Sequence, residues 1–312
     1  MASLQEIITG GFGGAFPPVT SQYVIKQYLS HNDAINGLEY LNNAVNDGQN
    51  GLMVKVKTDE TRNEGATRAF GVDYTAANYS PSNKVLNLHP CGDAFIEDDA
   101  VGRATPAYRE YSFAKATNNA INTFLKKLIL GNETSVATEF NGLEAQLDSG
   151  MDLTSDPINV FGLTMDKLIQ VEDKFNQQLA VMQGVPNVII TNAKTAAKLG
   201  TLNSMRYRLQ SVINYSDRQY REYQNARILI LDDACFSSDD LTKGAAFVMD
   251  MNTFDGVYVS VPADGTLVKV YRPVATGTPV NRGTVEIVAA PVVQNKKKLL
   301  KIALTDVDPE SV

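Results

Sequence analysis

The sequence predicts a mixed α+β protein with an irregular N-terminal arm, a projecting β-hairpin, one long helix and an α/β lobe. Three patterns lead to this prediction: a glycine-rich start, an apolar stripe at helical spacing after Thr105, and short apolar runs separated by turn residues in the second half. A chain of 312 residues is long enough for two domains, or for one large fold with an appended lobe.

Composition narrows the class of protein. Apolar residues make up 44% and charged residues 20% of the chain, as in packed globular proteins. The net charge of −7 is not the basic footprint of a protein that reads nucleic acid. Apolar runs are too short to span a bilayer, and the N-terminus lacks the features of a secretory signal. Two cysteines are too few for a disulfide framework or a structural zinc site.

Residues 1–50 are predicted to form the arm. Gly10-Gly11-Phe12-Gly13-Gly14 and Pro17-Pro18 interrupt regular structure, because glycine adds backbone freedom and proline cannot donate a backbone hydrogen bond. Apolar residues from Val24 to Leu29 are spaced for one face of a short helix. A phosphate-binding loop is not favoured, since no Lys-Ser/Thr pair follows the glycines.

Residues 51–90 are predicted to form an extended hairpin. Val54 and Val56 alternate with Lys55 and Lys57, which gives a strand with one apolar and one charged face. A polar, charged stretch follows, and a second extended segment leads to Leu88. The alternative is an ordinary surface hairpin.

The clearest helix opens at Thr105-Pro106, where threonine is a favourable N-cap and proline fits the first turn. Apolar residues recur at three- and four-residue steps to Ile129, and Gly131 favours a stop. About 25 residues at about 1.5 Å each give a rod of roughly 37 Å. Such a rod is expected to brace a sheet, although a long core helix gives the same pattern.

The following segments predict an α/β lobe. An amphipathic helix from about Thr164 carries Leu168, Ile169, Phe175 and Leu179, and a strand with a continuous apolar centre follows at Val188–Thr191. Asn192 is placed to cap the next helix. Short strands are then predicted at 227–231, 245–249 and 257–261, and the runs at 283–290 and 298–304 predict a closing β-hairpin.

Candidate chemical groups are sparse. His89 and Cys91 lie two residues apart and offer at most an activated thiolate. Asp232, Asp233, Asp239 and Asp240 surround Cys235, which leaves calcium or magnesium binding open.

A basic and aromatic patch is the remaining candidate. Its cations and tyrosines are suited to stacking on nucleotide bases or to a contact between subunits, and they are Arg206, Tyr207, Arg208, Arg218, Arg221 and Arg227. A contact between subunits or an exposed loop is favoured over nucleic-acid binding, because the chain as a whole is acidic.

The order of these segments resembles the major capsid protein of tailed bacteriophages, whose fold is shared by encapsulin shells. The resemblance is carried by Pro106–Gly131 as a spine helix, by Phe140-Asn141-Gly142-Leu143 after it, and by Val188–Asn192 in the lobe. The segment from Val285 to Leu304 corresponds to strands that return to a peripheral domain. No long charge-rich scaffolding segment precedes the arm, so scaffolding is expected to be a separate protein or one already removed.

This resemblance implies an organisation into arm (1–50), extended loop (51–90), peripheral domain with the spine helix (91–149), axial domain (150–265) and peripheral return strands (266–312). It implies hexamers and pentamers in an icosahedral shell around double-stranded DNA. It also implies scaffolding, portal and possible decoration partners, and assembly in the host cytoplasm into a virion. No cofactor, metal, membrane or catalytic role is implied.

The extended loop would lie across the neighbouring subunit, with charges placed to pair across that contact: Lys55, Lys57, Glu60, Arg62, Glu64 and Arg68. Individual exposed pairs contribute only about 0–1 kcal/mol, so repetition and apolar burial must supply most of the stability. Some relatives cross-link this loop through a Lys–Asn isopeptide bond, for which Lys55, Lys57 and Asn295 are conceivable but not favoured.

Two alternatives stay open. An encapsulin-like compartment predicts a shell that packages enzymes without a portal or tail. An enzyme or binding domain in the α/β lobe predicts a pocket with convergent polar groups and activity in a dilute monomer.

Overall fold

The structure, a computed structural model, describes residues 32–42, 53–58, 70, 82–98, 101, 107–207, 212–215, 218–271 and 280–307. The predicted short helix at Val24–Leu29 and the Thr105-Pro106 cap lie outside these ranges. The helices are α1 (Asp33–Asn36), α2 (Ala107–Leu130), α3 (Leu143–Gln146), α4 (Met165–Leu179), α5 (Ala193–Tyr207) and α6 (Ser238–Lys243). Short 3-10 turns lie at Ser149–Met151, Asp233–Cys235 and Lys296–Lys298.

Fifteen strands are present in the described ranges, which makes the fold mixed α+β as predicted. They are β1 (Tyr40–Asn42), β2 (Met53–Thr58), β3 (Ser82–Asn87), β4 (Pro90–Asp98), β5 (Ile158–Asn159), β6 (Val188–Asn192), β7 (Val212–Tyr215), β8 (Arg218–Tyr223), β9 (Ala226–Leu231), β10 (Ala245–Met249), β11 (Val257–Val261), β12 (Val268–Tyr271), β13 (Val280–Val288), β14 (Ala290–Val293) and β15 (Leu299–Thr305).

The strands form four sheets. The largest has the order β5-β15-β10-β6-β9-β8-β7, two three-stranded sheets have the orders β1-β11-β14 and β12-β13-β4, and β2 pairs with β3. In the large sheet β6 runs parallel to β9 and antiparallel to β10.

The seven-stranded sheet separates two apolar clusters. Along β6, Val188 and Ile190 face one cluster and Ile189 faces the other, and β10 alternates in the same way. Because both faces are covered, these strands have no polar face, which explains the continuous apolar runs in the sequence. One cluster lies under α4 and α5, and the other extends to α2 and the smaller sheets.

The long helix is confirmed. Helix α2 has 24 residues and packs on β4 and β13, with Ala120, Phe124 and Ile129 fully buried. The rings of Phe113 and Phe95 meet edge to face with their centroids 5.4 Å apart. The helix therefore braces the β12-β13-β4 sheet, as its amphipathic stripe predicts.

The predicted closing hairpin is wrong. Strand β13 pairs with β4 and β12, whereas β15 pairs with β10 and β5 in the large sheet. The burial patterns give the physical reason. From Gly283 to Val288 the residues of β13 alternate between buried and half-buried, which suits a sheet with one covered face, but β15 is buried on both faces up to Leu304.

Both predicted helices of the lobe are confirmed, but one residue predicted on the apolar face of α4 is exposed. The hydroxyl of Thr164 accepts a hydrogen bond from the Lys167 amide at the start of α4, and the Asn192 side chain caps α5 through the Thr195 amide, 2.9 Å away. Ile169, predicted on the apolar stripe of α4, is 62% exposed. Ile169 directly follows the buried Leu168, and adjacent residues of an α-helix point to different faces. Ile169 therefore lies outside the buried face of α4.

Candidate subunit interfaces

The root of the extended hairpin is fixed by two apolar side chains. Val54 and Leu86 lie opposite each other on β2 and β3, and both are buried in the main cluster. On the other face Lys55 lies opposite Val85, and both are exposed. The hairpin therefore joins the body by one face and presents the other outward.

Of the predicted extended loop at 51–90, the structure describes β2 (Met53–Thr58), residue 70 and 82–90. Lys55 is exposed on β2, and Lys57 lies on the same strand although its side chain is outside the described part. Glu60, Arg62, Glu64 and Arg68 lie outside the described residues. Their pairing across a subunit contact therefore stays a prediction.

The Phe-Asn-Gly-Leu element docks on the C-terminal end of α2. Phe140 and Leu143 are buried, and the Gly142 amide donates to the carbonyl of Gly131 over 2.8 Å. A Cβ on Gly142 would lie 2.6 Å from the Ile129 carbonyl oxygen, so only glycine permits this close approach. The predicted stop at Gly131 is confirmed. Gly131 is not in the left-handed conformation. Glycine is needed there because a Cβ would lie 2.5 Å from the carbonyl oxygens of Lys127 and Phe140.

The end of the arm is clamped to the large sheet through Arg227. The Arg227 Nε donates to the Gly37 carbonyl at 2.9 Å, and its Nη2 lies 3.4 Å from the Glu39 carboxylate. The guanidinium also lies 3.7 Å from the centre of the Tyr215 ring. Burial raises the pKa of Glu39 and Arg227 opposes this rise, so the cation stabilises a carboxylate that is largely removed from water.

A second buried cation, Lys301, joins three elements. Its ammonium lies 2.7 Å from Asp240 on α6 and 3.0 Å from Glu144 on α3, over the ring of Phe247. Burial alone would lower the pKa of Lys301, but these hydrogen bonds raise it, so the lysine is held as a cation. The sequence interpretation missed this network. The only indication of this network in the sequence is one lysine inside the apolar run Leu299–Leu304.

A cluster of loops at one end of the large sheet carries exposed apolar side chains. Lys298 bridges Asp250 and Asp255 at 2.9 and 2.6 Å, which holds the turn between β10 and β11. Phe254 in that turn is 91% exposed, and Val185 in the loop before β6 is 74% exposed. Sequence reasoning missed both, because an isolated apolar residue in a turn has no periodic neighbours.

An activated thiolate at Cys91, which the sequence did not favour, is not supported by the structure. Burial raises the pKa of Cys91 to about 11 and likewise that of Cys235, so both thiols stay protonated near neutral pH.

The side chain of Asn295, one candidate for an isopeptide bond, donates a hydrogen bond to Gln183 and accepts one from the Lys297 amide, which caps the 3-10 turn there.

The acidic residues near Cys235 have separate partners. Asp240 pairs with Lys301, Asp239 with Lys243, and Asp233 accepts from Asn192. Asp232 caps the 3-10 turn that follows it. Within the described ranges, His, Cys, Asp and Glu side chains form no group that could hold a metal ion.

The predicted basic and aromatic patch is divided among structural contacts. Arg227 is buried in the clamp, Arg218 pairs with Asp33, and Arg221 is exposed. The side chains of Arg206 and Tyr207, and all of Arg208, lie outside the described part of the chain. Among the described helices, none has both the length and the apolarity to cross a bilayer.

No family model and no curated protein match this sequence. Solved structures do match. A holo encapsulin complex from Synechococcus elongatus aligns with 93% of this chain and 89% of its own, at 11% identity and a TM-score of 0.58.

Two further solved structures give similar values. A structure from Mycobacterium phage Adephagia aligns over 99% of this chain and 100% of its own, at 13% identity and a TM-score of 0.54. The capsid of an empty GTA particle aligns over 94% and 93%, at 13% identity and a TM-score of 0.53. At these identities the likeness is one of fold. This chain therefore has the fold shared by phage capsids and encapsulin shells, as the order of its segments predicts.

Proposed function

We propose that this protein is a major capsid protein that assembles as hexamers and pentamers into an icosahedral shell enclosing double-stranded DNA. The observation that carries the proposal is the fold, which aligns with shell-forming proteins over more than nine-tenths of the chain. A fold alone does not define a function. The spine helix and the outward-facing hairpin support the proposal further, because both are suited to a subunit that contacts its neighbours.

The same proposal assigns regions to roles. Residues 1–50 are the arm, 51–90 the loop that lies over a neighbour, and 91–149 with 266–312 the peripheral domain. Residues 150–265 form the axial domain around each local symmetry axis. Strand β15 joins the sheet of that axial part, so the return segment contributes to both regions. Scaffolding, portal and decoration proteins are the proposed partners, and the assembled virion is the proposed location.

The experiment is to express the chain and to fractionate the product by sedimentation. We expect particles far heavier than the 34.0 kDa subunit, seen as closed shells by electron microscopy. Co-expression with a candidate scaffold tests whether the chain needs one. A monomer under both conditions would contradict the proposal.

An encapsulin-like compartment is the second candidate, and the alignment with the Synechococcus elongatus complex favours it. The contents of particles purified from their native source separate the two. Nuclease-resistant double-stranded DNA together with portal or tail proteins supports the capsid, whereas an enclosed enzyme without DNA supports the compartment. We propose no catalytic role, and a turnover by dilute monomer would contradict that.

A further inference from the structure

The hairpin formed by β7 and β8 projects beyond the large sheet. Val212–Tyr215 pair with Arg218–Arg221 over four positions, but β8 shares only two positions with β9, at Glu222 and Tyr223. In the part of the chain that the structure describes, most of the hairpin is therefore two-stranded, and β7 is the outer strand of the sheet. An isolated two-stranded hairpin is marginally stable in water.

This hairpin is nevertheless held in one orientation. The Tyr215 ring stacks on Arg227 and lies 6.4 Å from the Tyr220 ring, and the Tyr220 hydroxyl donates to the Asp33 carbonyl. Arg218 pairs with the Asp33 carboxylate. These contacts tie both strands to the end of the arm, so the outer edge of β7 has a fixed direction.

The chemistry of that edge is unusual for a strand that meets only water. Natural edge strands carry charges or proline, or are very short, because an open row of backbone N–H and C=O groups otherwise pairs with another chain. Strand β7 is Val-Ile-Asn-Tyr, with Val212 50% exposed and Asn214 also exposed.

The other edge strands in the described sheets are protected. Strands β1 and β5 have at most three residues, and each of the others carries a charge or a proline. These residues are Lys55 in β2, Lys84 in β3, Asp93 in β4, Lys269 in β12 and Pro291 in β14. Among these edges β7 is thus the longest without charge or proline.

We propose that the outer edge of β7 pairs through its backbone with a strand of a second copy of this chain. The inference rests on the proposed self-assembly and names one surface that carries it. Because rings of five or six copies need a head-to-tail contact, β7 meets a different strand of its neighbour, and in the described sheets the other edge strands without charge or proline are β1 and β5. Backbone hydrogen bonds then give the contact affinity, and the clamp at Arg227 sets its angle.

The test is to add charge to the edge without disturbing the subunit. The double variant Val212→Lys and Asn214→Lys places two cations on exposed positions of β7, and Ile169→Lys adds a cation at an exposed aliphatic position on α4. We expect the edge variant to keep the circular dichroism and thermal midpoint of the wild-type subunit, but to lower its assembled fraction by about tenfold or more. The Ile169 variant should assemble normally. Equal assembly of both variants, or equal loss in both, would contradict the proposal.

Hydrogen exchange reads the backbone contact directly. Peptides that cover residues 212–215 should exchange more slowly in assembled particles than in subunits dissociated from them. Failure of the wild-type chain to assemble would contradict the proposed function itself. Assembled particles with unprotected β7 amides, or a closed dimer formed by β7 against β7, would contradict this inference alone.

Discussion

At the scale of single residues, close backbone contacts at the end of α2 explain why particular glycines are needed. A Cβ on Gly142 would meet the carbonyl oxygens of Ile129 and Lys127 at 2.6 and 2.7 Å, whereas a Cβ on Gly200 in α5 would meet nothing within 4 Å. We expect Gly142→Ala to lower the free energy of unfolding by about 1–3 kcal/mol, because the docked element must shift. Gly200→Ala should raise it by about 0.5–1 kcal/mol. Urea unfolding of the unassembled subunit measures both, and equal effects of the two would contradict the docking geometry.

The buried thiols make the subunit sensitive to alkali. Burial raises the pKa of Cys91 and Cys235 to about 11 from an ordinary value of 9.0. Between these two values the unfolded chain releases protons that the folded chain keeps, so the free energy of unfolding falls as pH rises. The slope is at most about 1.4 kcal/mol per pH unit for each thiol.

We expect the double variant Cys91→Ala and Cys235→Ala to lose less stability than the wild type between about pH 8 and about pH 10.5. Urea unfolding across that range measures it. The cavities left by the two sulfurs lower stability equally at every pH, so the slope and not the absolute value is the readout. Parallel curves for the two proteins would contradict the effect of burial.

At the scale of elements, local signals predicted most of the secondary structure. The spine helix, the buried β6 and the cap at Asn192 follow from periodicity and capping chemistry, which act within a few residues. Pairing between strands that are distant in sequence leaves no such local signal. The polar residues before β15 suit a hairpin turn, but strand β14 lies between β13 and β15 and pairs with β11. The two-sided burial of β15 distinguishes its place in the large sheet. The pairing of Lys301 with Asp240 joins segments far apart in sequence, so no local pattern indicated it.

The clamp between the arm and the large sheet is also a contact between distant segments. We expect Arg227→Met to lower the free energy of unfolding by about 3 kcal/mol, because it leaves the largely buried Glu39 without its cation. Arg227→Lys should lose less, since it keeps the charge but not the stacking on Tyr215. Urea unfolding ranks the three proteins. An Arg227→Lys variant as unstable as Arg227→Met would indicate that packing, and not charge, holds the clamp.

At the scale of the whole molecule, the described part of the chain exposes several apolar side chains and one strand edge. Val85 at the hairpin, Phe254 and Val185 are exposed, and β7 is an outer strand without charge or proline. Large exposed apolar side chains and open edges are typical of surfaces that meet other chains. The order of segments predicted this class of fold from sequence, but the surfaces themselves required the structure.

Electron cryomicroscopy of purified particles tests the central claim that copies of this chain hold one another in a shell. We expect five or six copies around each local axis, with the β2–β3 hairpin of one subunit lying over the next. Particles in which each hairpin folds back onto its own subunit, or a preparation that contains only single chains, would contradict it.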